Sequence, residues 1–265
     1  MSDEARHVAF GVLSLKEYDA ELTDAELAER QEFRGGARPA SRFGVGGAAG
    51  TLRPMSRPSD PHLLVLHGLR LKGVTGADAL ADAVGLAAAE VTAQLRALEA
   101  EGLVAHRSGA LNGWTLTPAG RAEQARLVGD EVDATGARDT VAGAYRRFRA
   151  LNAGVLDACS RWQVRDVGGR PVRNDHRDRA YDAQVVDDLA RLHRRAEPML
   201  DDLARALDRY RPYGPRLRHA VDRVAAGDRD WFARPVMPSY HTVWFELHED
   251  LLTTLGLDRS AEPVP

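Results

Sequence analysis

The densest group of residues able to do chemistry is Asn174-Asp175-His176 with Asp178, Tyr181 and Asp182. It follows a stretch containing Gly and Pro and stands where a helix would begin. Asp178 and Asp182 lie one helical turn apart and could offer two carboxylates to a cation, with His176 nearby. The same acids are what the positive end of a helix dipole attracts without any ligand, with Asn174 or Asp175 as the cap. A second group falls near the end of the chain, where His241 and His248 share one face of a helix with Trp244 and Phe245 between them. Two turns separate the imidazoles by about 10.5 Å, too far to share one metal. His176, Tyr181, Tyr240, His241, Trp244 and His248 could instead line a ligand pocket, which combines aromatic walls with a few polar groups. Packing of the same stripe into a core is the alternative. Neither metal nor cofactor is expected. G-x-S-x-G, H-E-x-x-H and a phosphate-binding loop are all missing, and the Gly-rich stretch 44–50 lacks the required Lys and preceding strand. No enzyme is expected.

A third group needs its elements first. Asp60-Pro61 opens a helix, Asp as N-cap and Pro where its missing N–H costs nothing. Leu63, Leu66, Arg70 and Leu64, His67, Leu71 trace adjoining rows that stop at Gly73. Thr75, with Asp78 three residues on, is expected to cap a second helix carrying Leu80, Val84 and Leu86, broken by Gly85. A third helix over 87–101 turns Val91, Leu95 and Leu98 inward and ends at Gly102. Residues 103–107 and 114–117 alternate as two strands of a hairpin, and Thr117-Pro118 caps the next helix. Three helices and a hairpin are the order of a winged helix-turn-helix. Its outward face would present Ala88, Ala89, Thr92, Ala93 and Arg96, with His106, Arg107 and Asn112 on the wing. Arg96 could fork onto guanine, and Thr92 or the alanines could touch thymine methyls.

The run Gly102-Leu103-Val104 followed by Trp114-Thr115-Leu116-Thr117-Pro118-Ala119-Gly120-Arg121 resembles the end of the wing in MarR-type regulators of actinobacterial type. The resemblance covers about sixty residues. It implies a dimeric transcription factor that lays its third helix in the major groove of double-stranded DNA and answers to a small-molecule effector. The long helix that such regulators place before the winged helix is absent here, because an arm occupies that position. Residues 239–252 are similar to helical regions accompanying phosphoenolpyruvate-utilising, pyruvate phosphate dikinase-like proteins of actinobacteria.

The chain has 265 residues, with 44% hydrophobic and 28% charged, ordinary values for a soluble globular protein. Net charge is -3, so no overall basic character advertises nucleic acid. Across 61–128, Arg70, Lys72, Arg96, Arg107, Arg121 and Arg126 balance Asp78, Asp82, Glu90, Glu99, Glu101 and Glu123. Cys159 stands alone, which excludes an internal disulfide, and beside Leu156 and Trp162 it reads as a small buried residue. No run is long enough to cross a membrane and the N-terminus lacks a signal peptide's basic start, so a cytoplasmic location is expected.

The expected layout is an N-terminal segment and flexible basic arm over 1–59, a winged helix over 60–128 and a helical domain for dimerisation or ligand sensing over 129–265. The first part holds a short strand at 7–15, a brief helix at 24–33 behind the Thr23 capping box, and the arm arginines Arg34, Arg38, Arg42, Arg53 and Arg57. The last part is expected to be an all-helical bundle. Its helices fall near 118–132, 140–165, 181–210 (interrupted or kinked at Pro198), 216–226 and 240–255, with 167–173 as a loop. The fold class is therefore mainly α. Two functions follow: a DNA-binding regulator acting as a homodimer, or an interaction and effector-sensing module of a phosphoenolpyruvate-utilising metabolic assembly.

Overall fold

A computed structural model describes residues 58–108, 112–235 and 237–257. The strand, helix and arm expected over 1–57 lie outside the described residues. The described part is mainly helical. It begins with α1 (Pro61–Lys72), α2 (Ala77–Val84) and α3 (Ala88–Ala100), followed by the antiparallel pair β1 (Val104–Arg107) and β2 (Gly113–Leu116). Then come α4 (Pro118–Thr135), α5 (Arg138–Gln163), the hairpin β3 (Val164–Asp166) and β4 (Pro171–Arg173), and α6 (Arg179–Ala206). A 3-10 turn (Asp208–Tyr210), α7 (Tyr213–Ala225), the short α8 (Asp230–Ala233) and α9 (Tyr240–Leu255) complete it.

Helix α1 is the pivot of the packing. Asp60 accepts from the His62 N–H, Pro61 takes the first position, and Gly73 ends the helix with φ 74°. Residues Leu63 to Leu69 include only one position, Leu64, that is not buried, so this helix is covered nearly all round. Val65, Leu66 and Leu69 join Leu80, Val91, Leu95, Leu98, Val104 and Leu116 in a smaller apolar cluster. Leu63 points instead into the larger one, with Val128, Phe148, Leu189, Leu203, Tyr240, Trp244 and Leu251. Two cores thus meet across one helix.

The second helix starts one residue later than the capping signal suggested. Thr75 exchanges both backbone hydrogen bonds with Trp114 (3.1 and 2.8 Å) and so extends the β1–β2 sheet, leaving Gly76 as an N-cap with no side-chain bond. Thr117 does cap α4. Its hydroxyl accepts from the Gly120 N–H at 3.0 Å and lies 2.8 Å from the Gly102 carbonyl oxygen, tying the helix start to the end of α3.

Two expectations in the helical half need correction. Residues 164–173 form a hairpin rather than a loop. Gly168 and Gly169 adopt φ 63° and 80°, and the Val167 N–H donates to the Arg170 carbonyl at 2.9 Å. That is the two-residue turn that Gly-Gly makes available. Helix α6 also runs through Pro198 without the interruption that is one of the two alternatives there. Pro198 is exposed, so water can take the carbonyl that its missing N–H leaves behind. Helices α4, α5 and α7 fall close to where the apolar periodicity puts them and α9 to the residue, while α8 lies outside the helices expected.

Gly120 explains part of the Thr-Pro-Ala-Gly run. A Cβ there would stand 1.9 Å from the Leu103 carbonyl oxygen, whereas a Cβ at Gly129 in the same helix meets nothing within 4 Å. Gly120→Ala is expected to destabilise the protein by about 1–3 kcal/mol through overpacking against backbone. Gly129→Ala should stabilise it by up to about 1 kcal/mol through helix propensity. Urea titrations of the two variants check the pair, and equal effects would count against this packing.

Candidate functional site

Two places gather polar and charged side chains: the outer face of α3 with its hairpin, and a buried polar seam behind α1.

On α3, Val91, Leu95 and Leu98 are buried, and Ala88, Ala89, Ala93 and Arg96 are exposed on the other side. Thr92 is half-buried and its hydroxyl donates to the Ala88 carbonyl at 2.8 Å, so only its methyl and a lone pair remain to meet a partner. His106 and Arg107 are exposed on β1, and His106 stands edge-on to Trp114 at 5.0 Å. Asn112 is exposed just before β2. Of the six cations over 61–128, Lys72 is held by Glu246 and Arg126 by Glu123 and Asp130. Arg70, Arg96, Arg107 and Arg121 are all exposed.

The seam lies where α1 meets α4, the 3-10 turn, α7 and α9. Arg209 is at its centre with a side chain only 2% exposed. Its Nε donates to Glu131 at 2.8 Å, its Nη1 to Asp250, and its Nη2 to the Thr254 hydroxyl at 2.6 Å. Asp250 also accepts from the Tyr213 hydroxyl at 3.0 Å and lies 3.0 Å from His67 Nε2. Gln124 Nε2 stands 2.9 Å from the other ring nitrogen of His67. Ser59, the end of the stretch read as an arm, is buried and donates to Glu131 at 2.5 Å. Towards solvent, Glu246 is gripped by Lys72 from α1 and Arg216 from α7, each at 2.6 Å. Three carboxylates, Glu131, Asp250 and Glu246, face three permanent cations, Arg209, Lys72 and Arg216.

Burial alone would raise the Asp250 carboxyl, but Arg209 and His67 beside it reverse that and hold it well below the usual carboxylate range. Burial likewise disfavours a charged Arg209, yet Asp250, with Tyr210 and Glu131, keeps the guanidinium more firmly protonated than in water. The Tyr210 and Tyr213 phenols are pushed up by burial and by Asp250. A cleft opens beside this network, walled by Leu64, Leu71, Val84, Pro212 and Tyr213 with Lys72 and Arg216 at its polar side.

None of the six residues expected to line a pocket borders that cleft. Tyr240 and Trp244 are buried, stacked on each other at 6.1 Å, and Trp244 stacks on Phe148 at 4.5 Å while donating to Asn152 at 2.9 Å. His248 lies 4.8 Å from Phe148, and His241 is half-buried, its imidazole discouraged from protonating by burial. His176 and Tyr181 belong to the start of α6. Asp178 caps that helix by accepting from the Tyr181 N–H, and it pairs with Arg165 at 2.8 Å. Asp182 holds His176 Nδ1 at 3.0 Å and accepts from Asn174 at 2.9 Å, with the His176 ring 4.5 Å from Trp162. Tyr181 donates to the Arg161 carbonyl at 3.2 Å. No group of three His, Cys, Asp or Glu among the described residues is placed to hold a metal. Burial pushes the Cys159 thiol up to about 12, which removes its reactivity in the folded chain.

The seam went unread in the sequence although its signal was present. His67 sits in an apolar row of α1, and Asp250 and Thr254 occupy the row of Val243, Leu247 and Leu251 on α9. Polar residues at core-facing positions are the mark of a buried network.

Arg209→Met should cost about 3–5 kcal/mol in urea unfolding, because Asp250 and Glu131 lose their counter-charge. Pairing it with Asp250→Leu should recover part of that loss. A double variant no more stable than the single one would show that bare charge is not the cause. His193 offers a pH test. It is buried, both ring nitrogens lack a hydrogen-bond partner among the described residues, and burial outweighs Glu197 at 3.8 Å to lower its proton affinity. Its folded pKa lies below its unfolded value of about 6.5, so its contribution is present above that pH and is lost as pH falls through it. Urea midpoints should drop between about pH 8 and pH 5.5, and His193→Phe should flatten that drop. Compared with family models, curated proteins and solved structures, the chain matches none.

Proposed function

We propose that the chain is a winged helix-turn-helix transcriptional regulator of the MarR-like kind, reading duplex DNA with α3. The observation that carries this is the division of α3: one face closes the small core through Val91, Leu95 and Leu98, while Ala88, Ala89, Ala93 and Arg96 stand exposed. Small residues let a helix lie deep in a major groove, and Arg96 supplies the fork for guanine O6 and N7. Thr92 adds a methyl for thymine. His106, Arg107 and Asn112 reach phosphate or the minor groove from the hairpin. Acting as a homodimer in the cytoplasm, the protein would set two such helices about 34 Å apart on successive half-sites. A small effector acting through the helical half would tune that geometry.

The second reading, an interaction and effector-sensing module of a phosphoenolpyruvate-utilising assembly, is favoured by one observation. Glu90, Glu99 and Glu101 are exposed on or beside α3, and 61–128 has no net charge. Phosphate neutralisation then contributes little, so a DNA reader built this way depends on base contacts and has a shallow salt dependence.

Selection of duplexes from a randomised pool by the full chain, followed by anisotropy titration, separates the two. A regulator enriches a defined sequence, Arg96→Ala weakens it by about 1–3 kcal/mol, and Arg107→Ala weakens all duplexes alike while lowering the salt slope by about one. Absence of enrichment, or indifference to Arg96→Ala, would leave the interaction module.

A further inference from the structure

The cleft beside the seam is lined by groups of two opposite kinds. Leu64 and Leu71 of α1, Val84 of α2 and Pro212 at the start of α7 are each half-buried and form its apolar side. Leu64 is the one position from Leu63 to Leu69 that the packing leaves uncovered, and it borders this space. The enclosed volume is about 30 Å³, which admits a ligand of a few heavy atoms and excludes a nucleotide or a peptide.

At the polar side stand Lys72 and Arg216, with side chains 22% and 20% exposed. Among the described residues each gives one hydrogen bond, to Glu246 at 2.6 Å. An ammonium carries three N–H donors and a guanidinium five, so two remain on Lys72 and four on Arg216. The Arg216 guanidinium also lies over the Tyr213 ring, 5.9 Å from its centroid, which keeps it at the wall of the cleft. Charge points the same way. The lining sets Lys72, Arg209 and Arg216 against Glu246 and Asp250. Arg209 and Asp250 are paired within the seam, and Glu131, the other carboxylate on Arg209, does not line the cleft. One positive charge in excess is therefore left on the group of Lys72, Glu246 and Arg216.

We infer that the cleft is a binding site for a short-chain monocarboxylate. Its head group takes the remaining N–H donors of Lys72 and Arg216 beside Glu246, and its alkyl tail lies against Leu64, Leu71, Val84 and Pro212. Glu246 already places one carboxylate at hydrogen-bond distance from both cations, and the planar Arg216 fork has donors left for a second. A phosphate would bring up to two negative charges and no apolar body to a site with one charge in excess and apolar walls. Helices α1 and α2 supply one side of the cleft and Pro212, α7 and α9 the other, so the ligand touches the hairpin-bearing part and the helical half together. As the small effector of the regulator this carboxylate rests on that reading, whereas its binding does not depend on α3 meeting DNA.

The test is titration of the full chain with sodium butyrate, without DNA and at constant ionic strength, read from the Leu and Val methyl signals in nuclear magnetic resonance. Saturable shifts are expected at Leu64, Leu71 and Val84, with a Kd of about 1 mM, in the range that six heavy atoms can supply. Butyramide keeps the tail and drops the charge, and inorganic phosphate keeps the charge and drops the tail. Each should bind about tenfold more weakly or worse, and Arg216→Gln should weaken butyrate by about tenfold. Absence of saturation by roughly 50 mM, shifts only at other methyls, butyramide or phosphate binding as tightly as butyrate, or indifference to Arg216→Gln would each overturn the proposal. Should that variant fail to fold, the three ligands compared on the wild-type chain decide alone.

Discussion

The guanidinium of Arg209 is the interaction on which the rest depends. It is sealed from water, and each of its three nitrogens meets a different partner: Glu131, Asp250 and Thr254. Those partners lie on α4 and α9, while Asp250 reaches on to His67 of α1 and Tyr213 of α7. Apolar surfaces slide over one another at little cost, but a planar fork with fixed acceptors does not. Five elements are therefore held in one register by a single side chain. Isolated in low dielectric this charge would be costly; balanced by two carboxylates and hydrogen-bonded at every nitrogen, it is tolerated.

That register matters because of where α1 lies. Its Leu63 belongs to the larger core and its Val65, Leu66 and Leu69 to the smaller one. Helix α3 rests on α1 and α2 and leaves its Ala88 and Arg96 side outward. The chain of contacts thus runs from the aromatic stack of Phe148, Trp244 and Tyr240, through α9 and Arg209, to α1 and so to α3.

Much of this architecture is legible in the sequence, and the parts that are not have identifiable causes. Helix α9 could be read because Val243, Leu247 and Leu251 recur at helical spacing along it. The β3–β4 hairpin escaped because its strands are three residues each and all but one of 164–173 are exposed or charged, which hides the alternation a strand would show. Thr75 looked like a cap because Asp78 follows it, but pairing with Trp114, nearly forty residues away, decided its role. The exposed face of α3 follows from its period alone. The seam does not, since Arg209, Glu131, Asp250 and His67 are scattered over nearly two hundred residues and meet only once the helices pack. His176 with Asp182 was found as a cluster because its members are neighbours in sequence, and proximity in sequence is what a reader of sequence can see.

Choice of chemistry in the seam is itself informative. Replacing a buried ion pair by apolar groups of similar shape is often neutral or stabilising, so stability alone does not account for Arg209 and its carboxylates. Directional bonds add a constraint on the alignment of α1 against α9 to the one that close apolar packing already sets. Here the alignment is set by hydrogen-bond direction: Arg209 donates, Asp250 accepts, Tyr213 donates, and Gln124 completes the ring of His67. A seam with directional bonds has discrete arrangements in place of a continuum.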